Sequence, residues 1–398
     1  MLATNLSDVD ADFLAVICKE RWPETDTLEF KRDLPGGSDK EKHELLKDVC
    51  AFANADGGDI VFGVEELDGT AETIVSITSE LFDPLQRRLS QMLDSGIEPR
   101  LQALQIVQVV VTSGFVLVIR IPASFSGPHC FRVNNAKRFV MRNGTSTTDL
   151  TFDQLRSAFD RTATLSERAR NFLAGRTKLI ADRRTPKRLA DGPTRAIHLI
   201  PIGGLAGRQS ANLASLNGQG FTRFLEPDWG GGSRSFNFDG MVIFPGGSSE
   251  EDHHGYSQVF RNGIMEAASL AGEVRETGQS DSGKQVVWAT EMTKFFRERT
   301  ETFIAAAKEW GLAGPAVLSY SILNVEGYEL ATGAQSPRRK KPESDRPHLV
   351  VPELWIDNLE SVEIDQIVRP LLDILWQGFG LERCLDFDAV SGVFKPFH

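Results

Sequence analysis

The sequence predicts a chain of at least two domains that mix helices and strands, in the α/β (α+β) class. The first observation is length, because 398 residues suggest more than one domain. The second is composition, which is 41% hydrophobic and 25% charged and typical of folded globular proteins. The third is periodicity: segments with apolar residues at helical spacing alternate with β-rich runs along the chain.

Charge and cysteine content exclude several classes of protein. Lysine and arginine total 44 against 55 acidic residues, a net charge of −11, so nucleic-acid binding would need a local basic patch. The four cysteines are widely separated, which excludes a Cys-x-x-Cys metal hook and a disulfide scaffold. The polar N-terminus and the interrupted apolar stretch at 104–121 predict a cytoplasmic protein without a membrane span.

Residues 1–165 carry the clearest order of elements and form the first predicted domain. Ser38 and Glu41 make a capping box before an apolar helical repeat, and Gly57-Gly58 should end that helix at Asn54. The predicted elements, in order, are a helix over 7–18, an extended segment over 27–31, a helix to 54, a strand over 60–64, a helix over 85–93, hairpins over 104–121 and 130–141 (the second turning at Asn134-Asn135), and a helix over 152–159.

Residues 166–193 are charged and poor in aromatic side chains, which predicts a helical connector ending in a loop. Residues 194–398 then form a second α/β domain of unknown type, with a sensor or regulatory role as one interpretation. Its predicted elements are strands over 197–202, 235–244, 256–260 and 316–323, a long helix over 286–310, a polar loop over 332–346, and a final helix over 360–379.

The first candidate site is the trio Glu24, Glu29 and Lys31. If residues 28–31 are extended, Glu29 and Lys31 point to one face while Phe30 points to the core. Carboxylates can hold a divalent cation that activates water, and a lysine can offset charge in the transition state of phosphodiester cleavage. The alternative is an exposed, charged strand edge, which is the commoner meaning of such a run.

The second candidate site runs from residue 48 to 66, where a helix ends in a double glycine and continues into a strand. Glycine permits the positive φ of a tight reversal. Asp59 and Glu65 share one face of that strand by period two, so either is a candidate third carboxylate. The alternative is structural: Asn54 caps the helix, Gly57-Gly58 turn the chain and the acids are solvated.

These segments, with a third one, resemble the Schlafen family, and within it the AlbA-like core domain that was long labelled a divergent AAA domain. No resemblance is seen beyond residues 20–160. The matching blocks are Glu24-x4-Glu29-Phe30-Lys31, then Ala51-Phe52-Ala53-Asn54-x2-Gly57-Gly58-x3-Phe62-Gly63-Val64, then Phe139-Val140-Met141-Arg142-Asn143-Gly144-Thr145-Ser146-Thr147 and the helix after it.

The resemblance implies a metal-dependent endoribonuclease with Mg²⁺ or Mn²⁺ bound by two glutamates and a third acid. Glu24 and Glu29 match the glutamate pair, and Lys31 matches a neighbouring lysine. The third acid falls near Glu65, where the family usually has Gly-Val-Asp-Asp and this chain has Gly-Val-Glu-Glu; Glu66 and Asp59 stay open. Structured RNA such as tRNA is the implied substrate, and phage defence is the role that analogy suggests.

RNA binding requires a basic surface, and the predicted one surrounds the second hairpin. Phosphates would be its partners. The alternative is a hairpin solvated by its charges. The predicted residues are Arg132, Lys137, Arg138 and Arg142, interleaved with Phe131 and Phe139, with Arg87-Arg88 and the tract at 338–341 as further candidates.

Two other functions remain in competition: a non-catalytic DNA- or RNA-binding regulator and a nucleotide-sensing module. Residues 278–284 have the spacing of a phosphate loop but lack its Ser/Thr, which disfavours ATP binding. Animal Schlafen proteins join two related lobes, whereas the Phe-Ala-Asn block occurs once here. A homodimer that uses the hairpin at 104–121 is therefore predicted.

Overall fold

A computed structural model describes residues 2, 6–101, 103–133, 136–207, 209–226, 231–246, 252–275, 284–312, 314–332 and 343–396. The chain divides into two compact units, Met1–Ser166 (unit 1) and Glu167–His398 (unit 2). Each unit combines helices with more than one sheet, which confirms the predicted α+β class. The predicted turn at Asn134-Asn135, most of the segment at 278–284 and the basic tract at 338–341 lie outside the described residues.

In the described residues, unit 1 contains eleven short strands, three complete helices and the beginning of a fourth helix. The helices are α1 (Ala11–Glu20), α2 (Asp39–Asn54), α3 (Phe82–Gly96) and α4 (Phe152–Ala181). The strands are β1 (Leu28–Lys31), β2 (Gly57–Phe62), β3 (Val64–Leu67), β4 (Thr70–Ile74), β5 (Ile97–Glu98), β6 (Gln105–Val111), β7 (Gly114–Pro122), β8 (Cys130–Val133), β9 (Ala136–Arg138), β10 (Val140–Asn143) and β11 (Ser146–Asp149).

The main sheet of unit 1 has the order β1-β2-β7-β6, in which β1 and β2 are parallel and the other pairs antiparallel. Ile60 and Phe62 face the core shared with α2 and α3. Phe30 and Val61 face the opposite core, which includes Leu14 of α1. Both faces of the sheet are therefore covered by helices.

The helix α2 begins and ends where the sequence predicts. Ser38 Oγ accepts from Glu41 N at 3.3 Å, while Ser38 N donates to Glu41 Oε2 at 3.2 Å, so the capping box is present. The last helical residue is Asn54. Both boundaries are decided by local side-chain chemistry, which is why the sequence predicts them.

The double glycine after α2 is required by close packing. Gly57 has φ 75°, and a Cβ there would lie 2.6 Å from Ile121 O. A Cβ on Gly58 would lie 2.5 Å from the Phe52 ring. The strand β2 can therefore start directly beneath the aromatic ring of the helix that precedes it.

The later elements of unit 1 confirm one prediction and correct two. The strands β6 and β7 form the predicted hairpin. The predicted second hairpin is two hairpins, because β8 pairs with β9 and β10 pairs with β11 across a turn at Gly144. The helix predicted over 152–159 continues to Ala181, since Leu165, Ala169 and Leu173 recur at helical spacing and are buried.

Unit 2 is built on one large sheet. Its helices are α5 (Ile202–Leu205), α6 (Ala289–Glu309) and α7 (Ile364–Gln377), together with the end of α4. Its strands are β12 (Thr194–Pro201), β13 (Gly232–Phe236), β14 (Gly240–Pro245), β15 (Gly255–Phe260), β16 (Met265–Leu270), β17 (Gly272–Arg275), β18 (Lys284–Trp288), β19 (Ala316–Leu323), β20 (Glu329–Ala331), β21 (His348–Val350) and β22 (Leu354–Ile356).

The large sheet has the order β13-β14-β15-β16-β12-β19-β21, with β22 also paired to β19, and all of these pairs are antiparallel. Phe296, Phe303 and Trp376 bring α6 and α7 into the main core. Ile180 of α4 packs with Tyr256 in a second cluster. The helix predicted over 286–310 starts three residues later, because β18 continues to Trp288.

The helices named above and the four cysteines all lie within the described residues. None of the helices in the described ranges is long and apolar enough to cross a membrane. The four cysteines are free, and Cys50, Cys130 and Cys384 are buried. Their burial agrees with scattered cysteines that act as small apolar residues.

Candidate functional site

The strand β1 places Glu29 and Lys31 on one face, as predicted. Glu29 lies opposite Ile60 in the parallel pairing, so both residues face the α2 side of the sheet. Phe30 faces the other core. Lys31 Nζ lies 2.6 Å from Glu29 Oε1. The charged pair is therefore half enclosed by α2 rather than displayed on an exposed strand edge.

Asp48, to which the sequence pattern assigned no role, also contacts this pair. Asp48 is 4% exposed, and its Oδ2 lies 2.9 Å from Lys31 Nζ. Burial works against a charged Lys31, but the carboxylates of Asp48 and Glu29 outweigh it and raise the pKa of Lys31. The sequence contains a signal for this position of Asp48. Asp48 lies on the same buried face of α2 as Leu45 and Phe52, where an apolar residue would be expected.

The prediction that Arg142 belongs to the basic surface is wrong. Its side chain is buried, forms an ion pair with Glu29 Oε2, and donates to Thr25 O at 3.2 Å. Its guanidinium lies over the Phe52 ring, 4.7 Å from the centroid. Because Val140 and Arg142 are two residues apart on β10, both point inward. Arg142 therefore belongs to the carboxylate cluster and not with the solvent-facing cations.

The side chain of Asn54 joins separate elements of unit 1 and does not cap α2. Its Nδ2 donates to His129 O and to Val140 O, both at 2.8 Å, and its Oδ1 accepts from His129 N at 2.7 Å. These bonds fasten the end of α2 to β10 and to the residue before β8. Asn54 thus helps to hold the strand that carries Arg142.

Glu24 lies beside this cluster, so the structure brings together the two glutamates of the predicted pair. Glu24 Oε1 accepts from Phe30 N at 2.9 Å. Burial, and then the negative charges of Glu29 and Glu66, raise the pKa of Glu24, although the bond from Phe30 and the charge of Arg142 oppose this. The electrostatic effect on Glu24 identifies Glu66 as a nearby acid.

The three candidates for the third carboxylate occupy different places. Asp59 faces the opposite core, where it is paired with Arg120 at 2.8 Å and accepts from Leu2 N at 2.7 Å. Glu65 pairs with Arg32 at 2.6 Å in solvent-exposed positions. Glu66 follows an irregularity in the β3–β4 pairing and is the one that acts on Glu24.

The predicted metal ligands are not gathered into one set. In the ranges given above, no group of three or more His, Cys, Asp or Glu side chains is arranged to hold a metal ion. Glu29 contacts Lys31 and Arg142, while Glu65 contacts Arg32. Glu24, Glu29 and Glu65 therefore do not fit the Mg²⁺ or Mn²⁺ site in this arrangement.

Three of the four predicted nucleic-acid contacts lie together on the β8–β9 hairpin and are exposed. Lys137 Nζ lies 2.7 Å from Glu98 Oε2, and Arg132 lies 3.5 Å from the same oxygen. Arg138 pairs with Asp149 at 2.6 Å. This hairpin surface carries three cations against two acids.

Arg87 and Arg88, the further candidates for phosphate binding, lie in different surroundings. Arg88 is occupied by Glu80 at 2.9 Å and by Pro35 O at 3.0 Å. Arg87 lines an open cavity of about 470 Å³ along α3, together with Arg100. Only Arg87 of this pair therefore faces a groove.

Unit 1 is thus an α+β domain in which a double-glycine strand and its parallel neighbour enclose a carboxylate–lysine–arginine cluster. Residues 24–151, about a third of the chain, match the family model described as Schlafen, AlbA_2. Unit 1 contains a Schlafen AlbA_2 domain, which confirms the resemblance drawn from the three sequence blocks. No curated protein matches the chain.

Two solved structures are similar to parts of this chain. One is the N-terminal domain of a protein related to the ATP-dependent DNA helicase RecG from Nitrosomonas europaea, at 21% identity, with 36% of this chain and 95% of that chain covered and a TM-score of 0.27. The other is the DIP2311 protein from Corynebacterium diphtheriae, at 20% identity, with 31% of this chain and 22% of that chain covered and a TM-score of 0.23.

Proposed function

We propose that unit 1 is a Schlafen-like endoribonuclease that cleaves structured RNA such as tRNA. The observation that supports this most is the ionic cluster beside β1, in which Lys31 Nζ lies 2.6 Å from Glu29 Oε1 and 2.9 Å from Asp48 Oδ2. Glu24 lies beside it with a pKa raised by burial and by the charges of Glu29 and Glu66, and ionisable groups with shifted pKa values are concentrated at functional sites.

Each residue of the cluster has a distinct role in this proposal. Lys31 keeps 29% of its side chain accessible, more than Glu29, Asp48 or Arg142, so it meets the scissile phosphate and offsets its developing charge. Glu24, with its raised pKa, exchanges a proton with an attacking or leaving oxygen. Glu29 and Asp48 position Lys31 and stabilise its charge, and Arg142 holds Glu29 in place. None of these roles is routed through Mg²⁺ or Mn²⁺, because the predicted ligands do not form one set.

RNA would be held by the β8–β9 hairpin through Arg132, Lys137 and Arg138. These side chains are exposed, and phosphates can compete with Glu98 and Asp149 for them. Recognition through phosphates and shape suits a folded RNA. A role in phage defence, with unit 2 as sensor or regulator, completes this proposal by analogy.

The test is cleavage of purified tRNA by the full chain, with Mn²⁺ and with EDTA. We expect Glu29→Gln and Lys31→Met to lower the rate by about 100-fold or more, as loss of a charge in a transition-state site does. Lys42→Gln, an exposed change on the same domain, is the matched control. Equal cleavage by wild type and Glu29→Gln would rule out the proposed site, and loss of cleavage in EDTA would contradict the metal-free roles given to these residues.

A second candidate is a DNA- or RNA-binding regulator without catalysis. It is favoured by one observation: Glu29 contacts two cations, Lys31 and Arg142, as carboxylates in structural ion networks do. In that case the protein binds tRNA in a salt-dependent manner and leaves it intact at every metal concentration tested.

We also propose that the chain acts as a homodimer. The strand β6 lies at an edge of the main sheet, and Val110 on it is 70% exposed. A second copy would cover this edge and supply a second RNA-binding lobe. Light scattering should give about 88 kDa, twice the 44.0 kDa of one chain. A mass near 44.0 kDa with full activity would contradict the dimer.

A further inference from the structure

Unit 2 contains a small cavity with an unusual charge pattern, beside α6 and the start of β12. Its volume is about 170 Å³. The lining is electrically balanced, with three acids and three bases around one phenylalanine, Phe295. The charged residues are Arg195, Glu226, Glu291, Lys294, Glu298 and Arg299.

Four of these six residues neutralise one another. Arg195 Nη2 lies 3.1 Å from Glu226 Oε2, and Lys294 Nζ lies 3.1 Å from Glu291 Oε1. Arg195 is held further by Ser269 Oγ at 2.8 Å and stacks over the Phe295 ring at 4.4 Å. The charges of these four residues are therefore already paired within the lining of the cavity.

The other two residues, Arg299 and Glu298, have no ion-pair partner among the described residues. Arg299 is 4% exposed and donates only to the carbonyls of Leu225, at 3.1 Å, and Arg223, at 3.5 Å. Burial lowers the pKa of Arg299, and the negative charges of Glu226 and Glu298 offset this only in part. A buried charge that its neighbours offset only in part is destabilising, so a ligand that brings a carboxylate into hydrogen-bond distance of Arg299 would be bound favourably.

We propose that this cavity binds a small zwitterion with the chemistry of a free α-amino acid. The ligand's carboxylate would pair with Arg299 and its ammonium with Glu298, which leaves the lining neutral. A dianion such as phosphate is disfavoured, because Glu226, Glu291 and Glu298 would repel it. At roughly 30 Å³ per water, the cavity has room for five or six water-sized atoms, which suits glycine or alanine. This site is independent of the RNA chemistry proposed for unit 1.

The first experiment measures binding to the full chain by calorimetry and by thermal unfolding. Glycine and L-alanine are the probes, acetate and methylamine each supply one half of the zwitterion, and inorganic phosphate is the anion comparison. We expect the amino acids to bind and to raise the unfolding temperature with concentration. Each half-ligand should bind about tenfold more weakly or worse, because it can form only one of the two charge-assisted interactions.

The second experiment assigns the two charges. We expect Arg299→Gln and Glu298→Gln each to weaken glycine binding by about tenfold or more. Lys308→Gln, at a half-exposed position of the same helix, should leave it unchanged. Arg299 is buried, so Glu298→Gln at its half-exposed position keeps the test valid if Arg299→Gln fails to fold. Absence of amino-acid binding, tighter binding of phosphate, or unchanged affinity in Glu298→Gln would each overturn the proposal.

Discussion

Both units bury a carboxylate against an arginine, yet the two ionic clusters differ in how many hydrogen-bond donors each carboxylate receives. In unit 2, Glu266 is fully buried and receives hydrogen bonds from Arg176 at 2.7 Å, Tyr256 at 2.7 Å and His198 at 2.8 Å. Burial alone would raise the pKa of Glu266, but the bonds from Arg176 and His198 lower it to about 2.

In unit 1 the acids lack such a set of donors. Lys31 pairs with Glu29 and Asp48, Arg142 pairs with Glu29, and Lys47 Nζ lies 3.9 Å from Asp48 Oδ1. The pKa values of Glu24 and Asp48 are nevertheless raised by burial and by the charge of Glu29. The comparison separates two uses of the same chemistry. An acid that receives several hydrogen bonds stabilises the fold, whereas acids buried with too few donors cost stability, and such groups are concentrated at functional sites.

Loss of the Glu266 charge in unit 2 should have the greatest effect on stability. Glu266→Gln leaves Arg176 buried without its counter-charge, which should cost about 3–5 kcal/mol of unfolding free energy. Differential scanning calorimetry should show the transition of unit 2 lowered by about 10 °C. Lys178→Gln, which removes an exposed ion pair from the same helix, is the control and should cost less than about 1 kcal/mol. Equal effects of both changes would mean that Glu266 contributes no more than a surface pair.

The two clusters should also respond to acid in opposite directions. Glu266 has a depressed pKa of about 2, so its contribution is complete above the ordinary value near 4.5 and is lost as pH falls toward 2. That loss is on the order of 3 kcal/mol. Glu24 and Asp48 have raised pKa values, so protonation relieves electrostatic repulsion in unit 1 as pH falls. Acid unfolding followed by calorimetry should therefore affect unit 2 first, and Glu266→Gln should flatten its pH dependence. Earlier unfolding of unit 1 would contradict the opposite acid responses expected of the two clusters.

A smaller effect is expected from Asp48→Asn in unit 1. The charge of Asp48 is unfavourable where it is buried, so its removal should cost less stability than Glu266→Gln. RNA cleavage should fall by about tenfold, because Asp48 holds Lys31 in place and stabilises its charge. Glu44→Gln, an exposed change on the same helix, is the control. An unchanged cleavage rate would leave Asp48 with a packing role only.

The smallest effect concerns the β8–β9 hairpin, where the cations are exposed and already paired. Reversal of Arg132, Lys137 and Arg138 to Glu should weaken RNA binding and reduce the slope of log K against log salt by about 0.7–0.9 for each phosphate that the hairpin no longer binds. Arg156→Glu on α4 is the matched reversal. If the slope is unchanged, the phosphates are held elsewhere, and the groove with Arg87 is the next place to test.

The sequence alone determined the features that depend on neighbouring residues. The capping box at Ser38 predicts the start of α2, and Gly57-Gly58 predict its end, because each acts within one or two turns of the chain. Period two places Glu29 and Lys31 on one face of β1. The Schlafen resemblance rests on the same local blocks.

Only the tertiary structure decided which distant groups meet. Arg142 has the same sequence context as the exposed hairpin arginines, yet it lies against Glu29, 113 residues away, and not in solvent. Asp48 reaches Lys31 in the same way, from a helix packed over β1's parallel neighbour. Periodicity indicates which side of an element is buried, but the partner of a buried charge depends on how separate elements pack, and that information is not local.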